Sequence, residues 1–246
     1  MVMLKIEDLG KQWPDGTYAL RQLSFQVEAG EFVVVLGKSG SGKSTLLSCL
    51  NRLVEPTAGR VFLENEEITG ANPKKLRAFR RRIGVVFQHF NLIRRVSVLT
   101  NVLAGRLGCV PSWYGLANFF SQKDRKRALE TLDRLEIAGK AHQRADTLSG
   151  GECQRVGIAR TLMQNPAIIL ADEPVASLDP RLTRVILDCL LGINLRDGVA
   201  ILCSLHQPEL AMEYGTRTIV LKGGEVVFNG SPDKLDQKGI AEIYDQ

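Results

Sequence analysis

The spacing of hydrophobic and polar residues predicts an α/β fold. Stretches in which nearly every residue is apolar occur at 31–36, 83–88, 167–171 and 199–205. Strands of this kind are buried on both faces, as in a parallel sheet covered by helices. Two earlier segments, 3–8 and 23–28, alternate between apolar and polar residues, which is typical of antiparallel strands with one buried face. The chain therefore begins with an antiparallel β part and continues with a mostly parallel sheet.

Helical periodicity follows several of these strands. Apolar residues recur at helical spacing after the first buried strand, at Leu46, Leu47, Leu50 and Leu53. Further helices are predicted at 73–82, from Ser121 onwards, after Gly150 and at 181–195, and a Gly223-Gly224 hairpin closes the pattern. The segment 89–159 has few strand signals and is predicted as an inserted helical subdomain. Residues 1–88 and 160–246 form the core of the same single domain.

Composition narrows the class of protein. The 246 residues are 44% apolar and 24% charged, and no apolar run approaches the roughly 18 residues that span a bilayer. Glu7 interrupts the N-terminal apolar segment, so we expect no signal peptide and a cytoplasmic chain. The five cysteines lack a C-x-x-C pair and are interpreted as small buried side chains, with Cys153 as the exception left open. The basic run at 74–82 carries an apolar stripe, so it predicts a solvated helix face and no nucleic-acid partner.

A glycine-rich loop between the first buried strand and the first helix carries the strongest chemical signal. It fits the pattern G-x-x-x-x-G-K-[ST] with Gly37, Lys38, Ser39, Gly40, Ser41, Gly42, Lys43 and Ser44, followed by Thr45. Such a loop aims several backbone N–H groups at phosphate oxygens. Lys43 is predicted to reach the β- and γ-phosphates, and the Ser44 hydroxyl to hold Mg²⁺. The sequence therefore predicts a nucleoside triphosphate site, with ATP and Mg²⁺ as cofactors.

Hydrolysis needs a second metal ligand and a group that orients water. The apolar strand at 167–171 ends in Asp172 and Glu173, which can supply both. We predict that Asp172 holds Mg²⁺ through its water shell. Glu173 is predicted to act as the general base.

At this point the chain resembles the ATP-binding-cassette family over essentially its whole length. The stretch that carries the resemblance is the family's signature motif, Leu148, Ser149, Gly150, Gly151 and Glu152. The resemblance implies that Ser149 and the glycine amides bind the γ-phosphate of ATP held by a second copy of the chain. Two copies would then enclose two nucleotides as a homodimer. Cys153 departs from the family pattern, since many relatives have glutamine there.

The resemblance also assigns roles to single residues in this sequence. Gln88 matches the glutamine that touches the metal and senses the membrane partner, and His206 matches the histidine that contacts the γ-phosphate. Asp179 matches an aspartate that links the two sites across the dimer. Trp13 matches the aromatic residue that stacks on adenine, with Tyr18 as the competing candidate. No catalytic position is missing, so an active ATPase is expected.

Two classes of cassette protein stay open, a transport ATPase and a soluble ATPase without a transport role. Transport is favoured because the chain has neither a second cassette nor a long coiled-coil insertion. The segment 98–108 with the aromatic residues after it resembles the ATP-binding subunit of phosphonate importers. That implies permease subunits, an external phosphonate-binding protein and a place on the cytoplasmic face of the membrane. Phosphate, phosphite or another oxyanion is the alternative cargo. Trp113, Tyr114, Phe119 and Phe120 are candidates either for permease docking or for ordinary core packing.

Overall fold

Ten strands form two sheets in the computed structural model, which describes residues 1–109 and 120–235. The four-stranded sheet is antiparallel, in the order β2-β1-β4-β5. Its strands are β1 (Val2–Gln12), β2 (Tyr18–Glu28), β4 (Ala58–Leu63) and β5 (Glu66–Glu67). The six-stranded sheet has the order β10-β9-β3-β8-β7-β6, parallel except for β10. Its strands are β3 (Phe32–Leu36), β6 (Ile83–Val86), β7 (Ile168–Ala171), β8 (Ala200–Ser204), β9 (Arg217–Lys222) and β10 (Glu225–Gly230).

The six-stranded sheet is covered on both faces, which explains its uninterrupted apolar strands. Along β3, Val33 and Val35 face a cluster shared with the antiparallel sheet, while Phe32, Val34 and Leu36 face a second cluster built with helices. Every residue of β3, β7 and β8 is buried. The predicted α/β class, with its antiparallel β part and mostly parallel sheet, is confirmed.

Seven α-helices occur within the described residues. They are α1 (Lys43–Leu50), α2 (Pro73–Arg82), α3 (Val98–Leu103), α4 (Gln122–Arg134), α5 (Gly150–Leu162), α6 (Pro180–Asp197) and α7 (Pro208–Tyr214). Side-chain caps fix several N-termini, as where Asn72 accepts the Lys75 N–H and Ser121 accepts the Asp124 N–H. In the described part of the chain, none of the helices has the length and apolar character needed to cross a bilayer.

Helices and turns make up the described residues of the segment 89–159, 89–109 and 120–159, but these residues have no core of their own. Val98, Ala128 and Val156 belong to the same buried cluster as Phe32 and Ile169 of the sheet. The helices α3, α4 and α5 therefore pack against one face of the parallel sheet. The boundaries of the helical subdomain stay a prediction.

Several local expectations need correction. Helix α1 ends at Leu50, so Leu53 lies beyond it and is 56% exposed. Cys109 is exposed and Cys153 and Cys189 are half-buried, whereas Cys49 and Cys203 are buried as expected. Phe120 packs, half-buried, against the core. Trp113, Tyr114 and Phe119 lie outside the described residues.

Candidate nucleotide-binding site

The glycine-rich loop leaves β3 at Gly37 and enters α1 at Lys43, as the motif predicts. Gly42 precedes the helix with a φ of 103°, a conformation that side chains rarely adopt. A Cβ atom on Gly42 would lie 2.5 Å from the Ala19 carbonyl oxygen, and one on Gly37 would lie 2.4 Å from Ser41 Oγ. The buried Ser41 hydroxyl has no hydrogen-bond partner. Only glycine fits these two positions, so the loop keeps the open backbone that phosphate binding requires.

Lys43 lies at the centre of this loop and is almost fully buried, with 3% of its surface exposed. Its ammonium group donates to the carbonyl oxygens of Gly37 at 2.8 Å and Lys38 at 3.1 Å. It also lies 3.6 Å from Glu173 Oε1. Burial lowers the pKa of Lys43, and the carboxylate of Glu173 opposes that change. The buried positive charge is thus held at the loop, where an anion would be attracted.

Ser44 and Asp172 meet across the gap between α1 and β7. Ser44 Oγ donates to Asp172 Oδ1 at 2.9 Å, and Ser204 Oγ donates to the same oxygen at 2.9 Å. Hard oxygen ligands of this kind suit Mg²⁺, which keeps several waters and takes its other ligands from nucleotide phosphates. The pair therefore fits a magnesium ion. Among the described residues, no group of three His, Cys, Asp or Glu side chains could hold a metal, so a site made by protein side chains alone is not indicated.

Glu173 and His206 form the other half of this cluster. His206 Nε2 lies 2.6 Å from Glu173 Oε1, and His206 Nδ1 lies 3.5 Å from Lys43 Nζ. Lys43 can donate only to an unprotonated Nδ1, so the proton of a neutral ring is then on Nε2 and points at Glu173. The fold thus brings together five predicted residues from the C-terminal ends of β3, β7 and β8, namely Lys43, Ser44, Asp172, Glu173 and His206. This edge of a parallel sheet is where α/β proteins bind ligands.

Gln88 lies two residues beyond β6, which is the neighbour of β7 in the sheet. The Asp172 N–H donates to the carbonyl of Val86, so the end of β6 is tied directly to the acidic pair. The segment after Gln88 is held by the helix α5. Arg160 donates to the carbonyl oxygens of Phe90 and Asn91, at 3.0 and 2.6 Å. Gln88 therefore lies between the sheet edge and the helical region, and its role stays a prediction.

The predicted signature residues form a second cluster at the N-terminus of α5. Ser149 is the N-cap, and Ser149 and Glu152 satisfy each other's backbone N–H groups in a capping box. Lys140 donates to the other oxygen of Glu152. This hydrogen bond and the Ser149 N–H lower the pKa of Glu152 to about 2. The loop is thus preorganised, with Ser149 and Gly150 exposed to solvent.

The signature cluster packs against the segment that carries Asp179. Gly150 faces Leu178 and Gly151 faces Leu182, where a Cβ on Gly151 would lie 3.1 Å from the Leu182 side chain. Asp179 is the N-cap of α6 and accepts the N–H groups of Arg181 and Leu182. The Asp179 carboxylate therefore already accepts hydrogen bonds within its own chain, although the residue is exposed. A role across a dimer stays a prediction.

The adenine-stacking candidates lie on opposite sides of the β1–β2 turn. Trp13 is 38% exposed with Lys11 over its ring at 4.8 Å, and Tyr18 is 49% exposed with Arg21 over its ring at 4.7 Å. Both rings already stack against a cation. The geometry does not choose between them.

Two residues of these clusters were missed by the sequence analysis, Ser204 and Lys140. Ser204 could have been found as the one hydroxyl in the apolar stretch 199–205, two residues before His206. Lys140 has no signal in the sequence, because its pairing with Glu152 depends on how a 3-10 turn at Ala138–Lys140 folds against α5.

Comparisons with known proteins identify the family of this chain. Residues 20–176 match the domain family described as ABC transporter. A phosphonates import ATP-binding protein of Bdellovibrio bacteriovorus is 48% identical over 243 residues, covering 98% of this chain and 93% of the relative. A protein of the same name from Oceanobacillus iheyensis is 46% identical, covering 99% and 96%.

Solved structures give the same result for the fold. A dimeric structure of the ATP-binding cassette MJ0796 bound to ADP and Pi is 37% identical, with a TM-score of 0.80 and coverage of 94% of this chain and 99% of that chain. The ADP conformation of MJ1267, an ATP-binding cassette of an ABC transporter, is 28% identical, with a TM-score of 0.86 and coverage of 99% and 98%.

Proposed function

The chain belongs to the ABC transporter family, and from that premise we propose that it is the ATP-hydrolysing subunit of a phosphonate importer. The observation that carries the proposal is the cluster of Lys43, Ser44, Asp172, Glu173 and His206 at one edge of the parallel sheet. It supplies a phosphate-binding cation, oxygen ligands and a carboxylate base in one place. Those are the parts that phosphoryl transfer to water needs.

In this proposal each side chain of the cluster has its own part in ATP hydrolysis. Lys43 moves from the loop carbonyls to the β- and γ-phosphates, which also withdraws it from Glu173. Ser44, Asp172 and Gln88 would hold Mg²⁺, which would neutralise charge on the phosphate oxygens when bound. Glu173 takes a proton from the attacking water. The water oxygen bonds to the γ-phosphorus while the bond between the γ-phosphorus and the β-phosphate oxygen breaks. His206 keeps Glu173 oriented and contacts the γ-phosphate.

The signature cluster supports a homodimer as the working unit. Ser149, Gly150 and Asp179 are exposed although their loops are well ordered by caps. In our proposal these exposed groups close over the ATP that a second copy holds in its glycine-rich loop. The MJ0796 cassette, which is 37% identical to this chain, has also been solved as a dimer. ATP binding would close the dimer, and hydrolysis would open it.

Phosphonate is proposed as the cargo because two relatives, 46 to 48% identical over nearly the whole chain, are named phosphonates import ATP-binding proteins. The chain would not touch the cargo itself. Permease subunits and an external phosphonate-binding protein would select it, and the chain would bind the permease at the cytoplasmic face of the membrane. Phosphate, phosphite or another oxyanion is the alternative cargo.

The test is ATP hydrolysis by the chain purified with its permease in lipid vesicles. Binding protein loaded with an alkylphosphonate is compared with binding protein loaded with phosphate. We expect stimulation by the phosphonate-loaded form alone. Equal stimulation by both would indicate a broader oxyanion importer. An ATP hydrolysis rate that no loaded binding protein changes would contradict the transport role. It would favour a cassette ATPase that has no part in transport.

A further inference from the structure

Ser204 is a polar residue in a strand that is otherwise apolar. It ends β8, after Ala200, Ile201, Leu202 and Cys203, and none of its surface is exposed. The strand β8 lies between β3, which leads into the glycine-rich loop, and β7, which ends in the acidic pair. A buried hydroxyl is unfavourable unless it is hydrogen-bonded. Its contacts therefore identify what it does.

The hydroxyl of Ser204 joins both acidic residues of the site. It accepts the N–H of Glu173 at 2.8 Å and donates to Asp172 Oδ1 at 2.9 Å. A serine hydroxyl has a single proton to donate, and here that proton is used on Asp172. One buried oxygen atom thus fixes the backbone of Glu173 and the carboxylate of Asp172 at the same time.

Glu173 needs such an anchor because its backbone is strained. Its φ is 45°, a left-handed conformation that glutamate adopts rarely. Asp172 is already held by its own N–H, which donates to Val86 of β6. The Glu173 N–H instead donates to the Ser204 oxygen. The direction in which the Glu173 side chain leaves β7, toward Lys43 and His206, therefore depends on this hydrogen bond.

We propose that Ser204 is a positioning residue for ATP hydrolysis, whose hydroxyl holds Asp172 and Glu173 in the relative orientation that the reaction requires. It acts through these two side chains and does not itself touch the nucleotide. The inference deepens the proposed function and rests on it. The consequence is that removing one oxygen atom, which itself contacts no phosphate, slows hydrolysis.

The first experiment compares Ser204→Ala with Cys203→Ala. Both remove one buried heavy atom from neighbouring positions of β8, but only the first removes a hydrogen bond to a charged group. For Ser204→Ala we expect a fall in kcat of about tenfold, the effect typical of losing such a bond. The Mg²⁺ concentration for half activity should rise, while Mg²⁺-free nucleotide binding stays within about twofold of the unchanged protein. Cys203→Ala should change the melting temperature but leave kcat and the Mg²⁺ dependence unchanged. Ser204→Thr retains a hydroxyl group and should keep kcat near that of the unchanged protein.

A second readout needs no nucleotide. Amide hydrogen exchange at Glu173 is expected to be at least about tenfold faster in Ser204→Ala than in Cys203→Ala, because the N–H loses its acceptor. Equal exchange in the two variants, or an unchanged kcat and Mg²⁺ dependence in Ser204→Ala, would overturn the inference. If the unchanged protein and its permease complex hydrolyse no ATP, the proposed function fails. The exchange measurement then decides separately whether Ser204 anchors Glu173.

Discussion

Lys140 offers a sharp test of how the signature loop is held. Its ammonium group donates to Glu152, whose other oxygen accepts the N–H of Ser149. Replacing Lys140 by methionine keeps most of the side-chain length but removes this bond. Glu152 then has one contact fewer to hold it in the capping box, and the loop that carries Ser149 loosens.

The size of the effect follows from the exposure of the two partners. Lys140 is 37% exposed and Glu152 is 18% exposed, so the pair lies between a surface ion pair and a buried one. Surface pairs contribute about 0 to 1 kcal/mol and hydrogen bonds to charged groups about 1.5 to 3 kcal/mol. We expect Lys140→Met to lower the free energy of unfolding by about 1 kcal/mol, a shift of about 2 to 4 °C in melting temperature for a chain of this size. If the same free energy is lost from closure of the loop on ATP, kcat/KM falls about fivefold.

The assay measures melting temperature and ATP hydrolysis on Lys140→Met, Lys140→Arg and Lys126→Met. Lys126 pairs with Glu130 at 3.9 Å, but both side chains are largely exposed, at 80% and 61%. Lys126→Met should therefore be nearly neutral, and Lys140→Arg should keep most of the activity. If Lys140→Met behaved like Lys126→Met in both measurements, Lys140 would have no part in holding the signature loop.

The same pair predicts a pH dependence. The folded pKa of Glu152 is lowered from 4.5 to about 2. A carboxyl group with a lowered pKa stabilises the fold fully above its unfolded pKa, and that contribution is lost as pH falls through the folded pKa. The contribution is thus complete above about pH 4.5 and lost toward pH 2. Lys140→Met should reduce the slope of unfolding free energy against pH in this interval, and an unchanged slope would contradict the assignment.

Three further predictions concern the nucleotide site. Glu173→Gln should bind ATP with unchanged affinity but lose hydrolysis by at least about a hundredfold, measured by single-turnover kinetics, since the amide cannot accept the proton. Gly42→Ala should lose at least about 2 kcal/mol of stability together with nucleotide binding, because the new Cβ meets the Ala19 carbonyl at a positive φ; denaturant unfolding and fluorescent-nucleotide titration check this. Of Trp13→Ala and Tyr18→Ala, one should weaken ATP binding by about tenfold while the other leaves it unchanged, which identifies the adenine-stacking ring; equal effects would contradict a single stacking residue.

The sequence predicted those parts of the molecule that depend on local pattern. The apolar stretches at 31–36 and 167–171 became β3 and β7, and Ser121 caps the helix that was predicted to start there. The sequence also placed four site residues together. Two of them, Lys43 and Ser44, begin the helix after the buried strand 31–36, and the other two, Asp172 and Glu173, follow the buried strand 167–171.

Features that depend on tertiary contacts were not predictable in this way. Leu53 continues a helical spacing but lies past the end of α1. The helix α7 is only seven residues long, too short to give a periodic signal. Ser204 meets Glu173 across 31 positions of sequence and Lys140 meets Glu152 across 12, so neither contact leaves a trace in the local pattern. The choice between Trp13 and Tyr18 depends on a nucleotide that only a bound complex would place.

In the proposed function, the cluster at the edge of the parallel sheet hydrolyses ATP to power phosphonate import. The most direct measurement is alkylphosphonate uptake into vesicles that contain the chain and its permease, with ATP on the side of the chain and loaded binding protein on the other. We expect uptake that requires ATP, stops with Glu173→Gln and does not occur with phosphate-loaded binding protein. Uptake that continues with Glu173→Gln, or no uptake from a complex that hydrolyses ATP, would contradict the proposed function.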